Sequence, residues 1–132
     1  RDEKTYEFFK RVTSEFINRL PADYVPYWDM DFGDGSGEPR DTSAAAAAAC
    51  GILEMNKHFD CSEFMPYVDL MLDSLEKNYL STRLENPSNA ILTDAMYSRP
   101  AGHQPEANIW GDYYYMEALI RLMNPDWKCI GN

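Results

Sequence analysis

Three observations predict an all-α fold for this chain. Apolar residues recur at helical spacing over 3–20 and again over 63–80. A run of six alanines, Ala44–Ala49, follows directly on the cap-forming residues Asp41, Thr42 and Ser43. No two alternating apolar stretches are joined by hairpin turn chemistry, so no strand pair is expected.

The first helix is predicted over 3–20. Tyr6, Phe9, Val12, Phe16 and Leu20 share one face, Phe8 and Ile17 widen it, and Glu7, Lys10, Arg11, Asn18 and Arg19 face away. Pro21 ends it, because proline cannot donate the next backbone bond. Residues 21–43 read as a loop with three prolines and three glycines. Its acids Asp29, Asp31, Asp34 and Glu38 invite a calcium reading, since hard cations take oxygen ligands. The EF-hand order fails there, with Gly33 and Asp34 inverted and Arg40 standing where the bidentate glutamate belongs, and no metal site is assigned.

The alanine helix comes next and ends near Lys57. Alanine favours helix and has almost no bulk, so neighbours are expected to approach closely on more than one side. An apolar end follows in Ile52, Leu53 and Met55. Gly51 costs about 1 kcal/mol relative to alanine in such a position, and close packing of a neighbour is expected to explain it. The turn falls around His58, Phe59 and Asp60, with His58 read as a surface residue.

The third helix is predicted over 63–80, with an apolar stripe of Phe64, Val68, Met71, Leu72, Leu75 and Tyr79. Pro66 is tolerable only in its first turn. Residues 81–107 have no clear period and contain several proline turns, a length that suits a functional or a disordered segment. The fourth helix runs from about Asn108 to Met123 and stops before Pro125; Trp127 is expected to dock behind it as an apolar anchor. Short turns thus alternate with long loops. That pattern suits a toroid of helical hairpins with its long loops gathered on one face, and it equally fits a helical bundle.

Composition narrows the partners. The chain has 132 residues, 45% of them hydrophobic, enough for one domain's core, and a formal net charge of −10. That charge argues against nucleic acid and against an anionic membrane surface, and no apolar run approaches a membrane span. It also means that an anionic sugar would need a local exception. The three cysteines, at 50, 61 and 129, have no Cys-x-x-Cys spacing and suggest neither a disulfide framework nor zinc; Cys50 reads as a small buried hydrophobe. The chain opens on Arg-Asp-Glu-Lys, so its natural start is expected upstream.

Two blocks carry a resemblance. Tyr27-Trp28-Asp29, Arg40-Asp41-Thr42-Ser43-Ala44 and Cys50-Gly51-Ile52-Leu53-Glu54 form the first; Asn108-Ile109-Trp110-Gly111-Asp112-Tyr113-Tyr114-Tyr115-Met116-Glu117-Ala118-Leu119-Ile120-Arg121 forms the second. In this order and at this spacing they resemble the C-terminal part of the unsaturated glucuronyl hydrolases. The resemblance implies an all-α fold in which four helices form part of an (α/α)6 six-hairpin toroid. Residues 1–132 would then be the C-terminal part of one catalytic domain, completed by the N-terminal remainder of the barrel.

It also implies a reaction: 4,5-unsaturated uronic acid is released from lyase-generated, glycosaminoglycan-type oligosaccharides. A carboxyl group protonates C4, its carboxylate activates the water that adds at C5, and the hemiketal opens. No cofactor is implied. The two aspartates essential to the family lie in its N-terminal two-thirds and match nothing here, so no catalytic residue is assigned, and Asp29, Asp31, Asp41 and Asp112 are not given that role. The rim of the site does carry over. Tyr97 matches a tyrosine that lines the family's sugar pocket, where a ring offers a flat apolar platform and its hydroxyl a directed bond. Members that accept sulfated substrates carry Ser-x-x-Ser-x-Lys in this loop; the matching positions are Ser98, Ala101 and His103. One of the three survives and the cation has become an imidazole, which weakens sulfate binding at that position.

Trp28, Arg40 and Trp110 complete the candidate substrate-binding set, although each has a structural explanation. Arg40 beside Asp41 would fix the loop through ion pairs or carbonyl bonds, and Asp112 in a first helical turn would complement the dipole. Of Tyr113, Tyr114 and Tyr115 at least one must be core, since successive helical residues point in different directions. The near alternative is an unsaturated rhamnogalacturonyl hydrolase, and the more distant one a non-catalytic helical binding module. Free cysteines and family habit point to the bacterial cytoplasm.

Overall fold

The computed structural model describes residues 2–128. Among them are four helices, α1 (Glu3–Asn18), α2 (Thr42–Asn56), α3 (Met65–Asn78) and α4 (Ile109–Met123), and short 3-10 turns at Ser81–Arg83 and Arg99–Ala101. Cys129 lies outside the described residues. None of the described helices is long and apolar enough to cross a membrane.

The alanine helix is the centre, for the reason its composition suggests. Ala45, Ala46 and Ala49 are fully buried, and α2 packs extensively against α4 and against α3 while touching α1 only lightly. Asp41 is the residue that caps it, its carboxylate accepting from the Ser43 N–H at 3.1 Å. Beyond the alanines, Ile52 joins Val68, Met71 and Leu75 of α3 and Val25 and Leu92 of the loops in one core. Each of these side chains contributes about 2 kcal/mol by leaving water. Phe64, Val68, Met71, Leu72 and Leu75 of the predicted stripe are buried and Tyr79 is half-buried, with Asp69, Asp73, Glu76 and Lys77 outside. Tyr115 is the tyrosine of the Tyr113–Tyr115 run that turns inward.

Helices α2 and α4 run side by side in the same direction. Gly111 at the start of α4 lies against Ser43 at the start of α2, the Cys50 thiol donates to the Tyr114 carbonyl at 3.0 Å, and Arg121 reaches Glu54 near both C-termini. Both long loops therefore feed into helices that start at the same end of the molecule.

Three expectations need correcting. Gly51 is exposed, and a methyl group placed on it would meet nothing within 4 Å, so no neighbour explains it. Gly51→Ala is expected to stabilise the chain by about 0.5–1 kcal/mol, since alanine has the higher helix propensity and the space is open. Urea unfolding of the 132-residue chain tests this, and an unchanged or lowered midpoint would contradict it.

On α1, Phe8 and Val12 are more than 45% exposed at 59% and 49%, while Thr13 is buried. The inward stripe is rotated toward Tyr6, Phe9, Phe16 and Ile17 because α1 leans on the 59–64 region rather than along α2. Tyr6 stacks on Phe59 at 4.3 Å and Phe9 meets the edge of Phe64 at 5.9 Å. Finally, Trp127 is not held by apolar contact alone. The Arg121 guanidinium lies 5.0 Å from its ring centre, and its carbonyl accepts from Lys57 at 2.6 Å. Exposed apolar side chains also line α4, where Ile109, Met116 and Met123 fall at helical spacing on one outer face.

The segment 81–107 is pinned along its length. Ser81 and Thr93 donate their N–H groups to the carbonyls of Ile91 and Tyr79, each at 2.8 Å, and Ala95 and Glu106 exchange two bonds at 2.9 Å. These isolated pairings, with Tyr27 opposite Arg40 in the first loop, are the extended contacts present among the described residues.

Candidate functional site

The site begins with Arg40. Its guanidinium donates to the Val25 carbonyl at 3.0 Å, pairs with Asp34 at 3.2 Å and Asp23 at 3.3 Å, and lies 3.9 Å over the Tyr27 ring. Asp34, an acid of the calcium reading, is committed to this knot. It accepts from the Ala22 N–H, the Tyr27 hydroxyl and Arg40, and these donors, led by Ala22, hold its carboxyl below the usual range. Burial, and then the bond to Asp34, raise the Tyr27 hydroxyl. Arg40 thus closes the neck of the first loop, and among the described residues no group of three or more His, Cys, Asp or Glu could hold a metal.

The two loops are then locked together at the start of α2. Thr42 donates through its N–H to the Asp94 carbonyl at 3.2 Å and through its hydroxyl to the Thr93 carbonyl at 2.7 Å. Asp41 accepts from the Met96 N–H at 3.3 Å as well as capping α2. Asp94 sits in the left-handed region, φ 58°, a conformation that costs a non-glycine residue about 1 kcal/mol and is held here by those Thr42 bonds. Asp112 completes the lock. Its two oxygens accept from the Ile91 and Leu92 N–H groups at 3.0 and 2.9 Å, so from its place in the first turn of α4, where it faces the helix dipole, it also holds the loop.

On this base the segment 97–103 folds back on itself. Arg99–Ala101 makes a 3-10 turn, Gly102 takes φ 85°, and the His103 N–H returns to the Ser98 carbonyl at 3.2 Å. A glycine at 102 is what allows the left-handed step. The reversal brings the His103 ring to 5.0 Å from Tyr97, and Tyr97 in turn stands 5.8 Å from Trp110 at the start of α4. Tyr97 is 62% exposed and Trp110 41%. Three rings of the candidate set therefore form one open aromatic surface. His103 also lies 3.8 Å from Glu106.

Trp28 joins from the first loop. Its indole N–H donates to Glu38 at 2.9 Å, and the same Glu38 oxygen lies 3.6 Å from Arg99 of the second loop. Tyr97, His103 and Trp110 are thus in contact, Trp28 is tied to them through Glu38 and Arg99, Ser98 contributes its backbone to the turn, and Arg40 lies beneath the first loop. Glu38 and Arg99 were not among the candidates. The signal for Arg99 was present in the sequence as a lone strong cation beside Ser98 in an acidic chain; Glu38 was legible only as a member of the acid cluster.

Chemically, this surface offers flat rings and one cation, which suits gripping a sugar. At the opposite end, beside the C-termini of α2 and α4, a half-open cavity of about 740 Å³ is lined by Leu53, Met65, Leu122 and the buried Arg121.

No protein-family model matches the chain. Individual proteins do. It is 45% identical, over 134 residues and 97% of its length, to an unsaturated chondroitin disaccharide hydrolase of Streptococcus pneumoniae, covering 33% of that protein. It is 34% identical, over 88% of its length, to an unsaturated glucuronyl hydrolase of a Bacillus species, covering 32% of it. The crystal structure of the Streptococcus agalactiae unsaturated glucuronyl hydrolase superimposes with a TM-score of 0.88 at 45% identity, over 96% of this chain and 33% of that one. The chain spans about a third of the length of the curated relatives it matches. By sequence and by fold the chain is similar to the unsaturated glucuronyl hydrolases, and its four helices match about a third of an (α/α)6 toroid of that kind.

Proposed function

We propose that the polypeptide containing this chain releases 4,5-unsaturated uronic acid from glycosaminoglycan-type oligosaccharides left by a lyase. These 132 residues would supply the rim of its sugar site and the C-terminal part of a single barrel domain. The observation that carries the reading is the open surface of Tyr97, His103 and Trp110 where the two long loops meet, in a chain so similar to enzymes of this name. The Streptococcus agalactiae relative has been crystallised with dGlcA-GalNAc6S, and another relative with dGlcA-Glc-Rha-Glc, which supports an unsaturated uronyl oligosaccharide as the ligand class.

In the proposed reaction the vinyl ether is hydrated. A proton is delivered to C4, water adds at C5, and the resulting hemiketal opens, breaking the link to the next sugar. The acid–base carboxyl belongs to the remainder of the barrel. Asp41 and Asp112 are committed to N–H groups of the two loops, as their bonds to Met96, Ile91 and Leu92 describe, and Asp29 and Asp31 stand in the first loop, Asp31 paired with Arg19. That remainder would cover the open face of α4 at Ile109, Met116 and Met123 and the Phe8 and Val12 side of α1. The bacterial cytoplasm is the compartment we assign.

The test uses the longest polypeptide that contains the chain, mixed with unsaturated uronyl disaccharides, and follows the ultraviolet absorbance of the conjugated double bond. Loss of absorbance is expected. Tyr97→Phe should then raise KM about threefold to tenfold, the cost of one hydrogen bond, with kcat little changed. A folded protein that leaves the absorbance of every sulfated and non-sulfated disaccharide untouched would exclude the hydratase reading and favour a non-catalytic binding module.

A further inference from the structure

We propose that Arg99 is the group that meets an anionic oxygen of the saccharide at this rim, a carboxylate or a sulfate ester, and that Glu38 holds the guanidinium in position and competes with that anion. This inference rests on the saccharide reading above and specifies what the site reads.

A chain of net charge −10 repels an anionic glycan unless one cation is placed at the point of contact. Two arginines come near the rim, and they differ in how much of their hydrogen-bonding capacity is already used. Arg40 is spent on Val25, Asp34 and Asp23 at 3.0–3.3 Å, with its face on Tyr27 and only 19% of its side chain exposed. Arg99 is the looser of the two. Its nearest carboxylate is Glu38 at 3.6 Å, beyond a good hydrogen bond, its other contact is the Gln104 side-chain oxygen at 3.4 Å, and its side chain is 36% exposed. A guanidinium carries five N–H donors in a planar fork suited to two oxygens of one anion, and this one keeps most of them on offer.

Its placement supports the role. Arg99 opens the 3-10 turn whose two flanks, Tyr97 and His103, are in ring contact, and it leans toward Glu38 and Trp28 of the other loop. The cation is therefore poised between the aromatic surface and the first loop, at the seam of the rim. His103 is the weaker anion partner, because an imidazole lacks the five-donor fork of a guanidinium and this one faces Glu106. Glu38 is well suited to restrain Arg99 without saturating it, since the same oxygen is fixed by the Trp28 N–H at 2.9 Å.

The measurement is KM and kcat for unsaturated uronyl disaccharides, with and without a sulfate ester, together with calorimetric Kd values for the same ligands, in the longest polypeptide that contains the chain. Arg99→Ala is expected to raise KM and Kd by about tenfold or more, the loss of a charge-assisted bond, with kcat within about twofold. Arg99→Lys should recover part of that loss. Glu38→Gln keeps an acceptor for Trp28 but removes the competing charge, and should lower KM and Kd severalfold. A merely structural Arg99–Glu38 pair would make that variant bind worse, and such a result overturns the proposal. If the anion is a sulfate ester, the Arg99→Ala effect is confined to the sulfated ligand; if it is the uronate carboxylate, both ligands lose equally. Turnover with KM and Kd indifferent to Arg99→Ala sinks the proposal while leaving the hydrolase reading intact. A folded parent that neither binds nor turns over any of the disaccharides removes both.

Discussion

Replacing Arg121 with alanine is expected to destabilise the 132-residue chain by about 3 kcal/mol or more. Arg121 and Glu117 are each only 7% exposed, and the guanidinium donates to Glu117 at 2.8 Å through Nε and pairs with it again at 2.6 Å. Its other arm reaches Glu54, tying α4 to α2 near their C-termini. Removing the cation leaves Glu117 charged in a site with little access to water, and the cost arises from that orphaned carboxylate more than from any lost attraction. A double change to Glu117→Gln with Arg121→Met should therefore recover most of the loss, because it removes the buried charge and keeps the volume. Urea unfolding of the parent, Glu117→Gln, Arg121→Met and the double variant closes the cycle, with Arg121→Ala measured beside it. An Arg121→Ala midpoint within error of the parent would refute the assignment.

The acid limb provides an independent reading of the same cluster. Burial alone would raise the Glu54 carboxyl, but the Arg121 guanidinium, with Lys57 and His58, outweighs it and leaves the group below its ordinary value of 4.5. A carboxyl depressed on folding stabilises the chain above its unfolded value, and that share is lost as the pH falls through the lower, folded value. The parent should lose this contribution below about pH 4.5, and Arg121→Ala should flatten that part of the stability profile.

The second large effect belongs to Asp112. Asp112→Ala is expected to cost about 2–3 kcal/mol, since it strands two partly buried N–H groups, those of Ile91 and Leu92, that a carboxylate now satisfies at 3.0 and 2.9 Å. The loss is also local. Leu92 is 1% exposed in the core, and the stretch it anchors leads through Asp94 to Tyr97. Freed from α4, the 81–107 segment should exchange its amide hydrogens faster and become the first point of proteolytic cleavage. Asp112→Asn, which keeps one acceptor oxygen, should fall between the two. A variant with parental stability and unchanged exchange over residues 90–97 would show that the carboxylate does not hold the loop.

Much of this molecule was legible beforehand, and the places where it was not have a common cause. The α3 stripe, a cap among Asp41, Thr42 and Ser43 and the crowding around Ala45, Ala46 and Ala49 follow from local rules, because helix period, cap chemistry and side-chain bulk act over a few residues, whereas α1 stops at Asn18, short of the predicted end before Pro21. Phe8, Val12 and Gly51 departed from expectation because period alone does not say which neighbours a helix has. In this chain α1 meets Phe59 and Phe64 instead of lying along α2, and nothing covers Gly51. The rim behaves in the same way. Tyr97 and Trp110 could be nominated from their motifs, but the bridge from Trp28 through Glu38 to Arg99 joins residues from two separate loops and has no sequence period.

The sequence by itself determined that the chain is helical, the approximate place of its four helices, and which enzymes it resembles, since these depend on short-range preferences and on motif order. Only the tertiary structure decided that α2 and α4 run in parallel with both loops at one end. It also decided that Asp112 clamps a loop rather than merely facing a dipole, and that Arg99 keeps its donors while Arg40 spends them. The physical reason is that a side chain's role is set by which partners reach it within about 3 Å, and those partners are brought there by long-range packing that no local preference encodes.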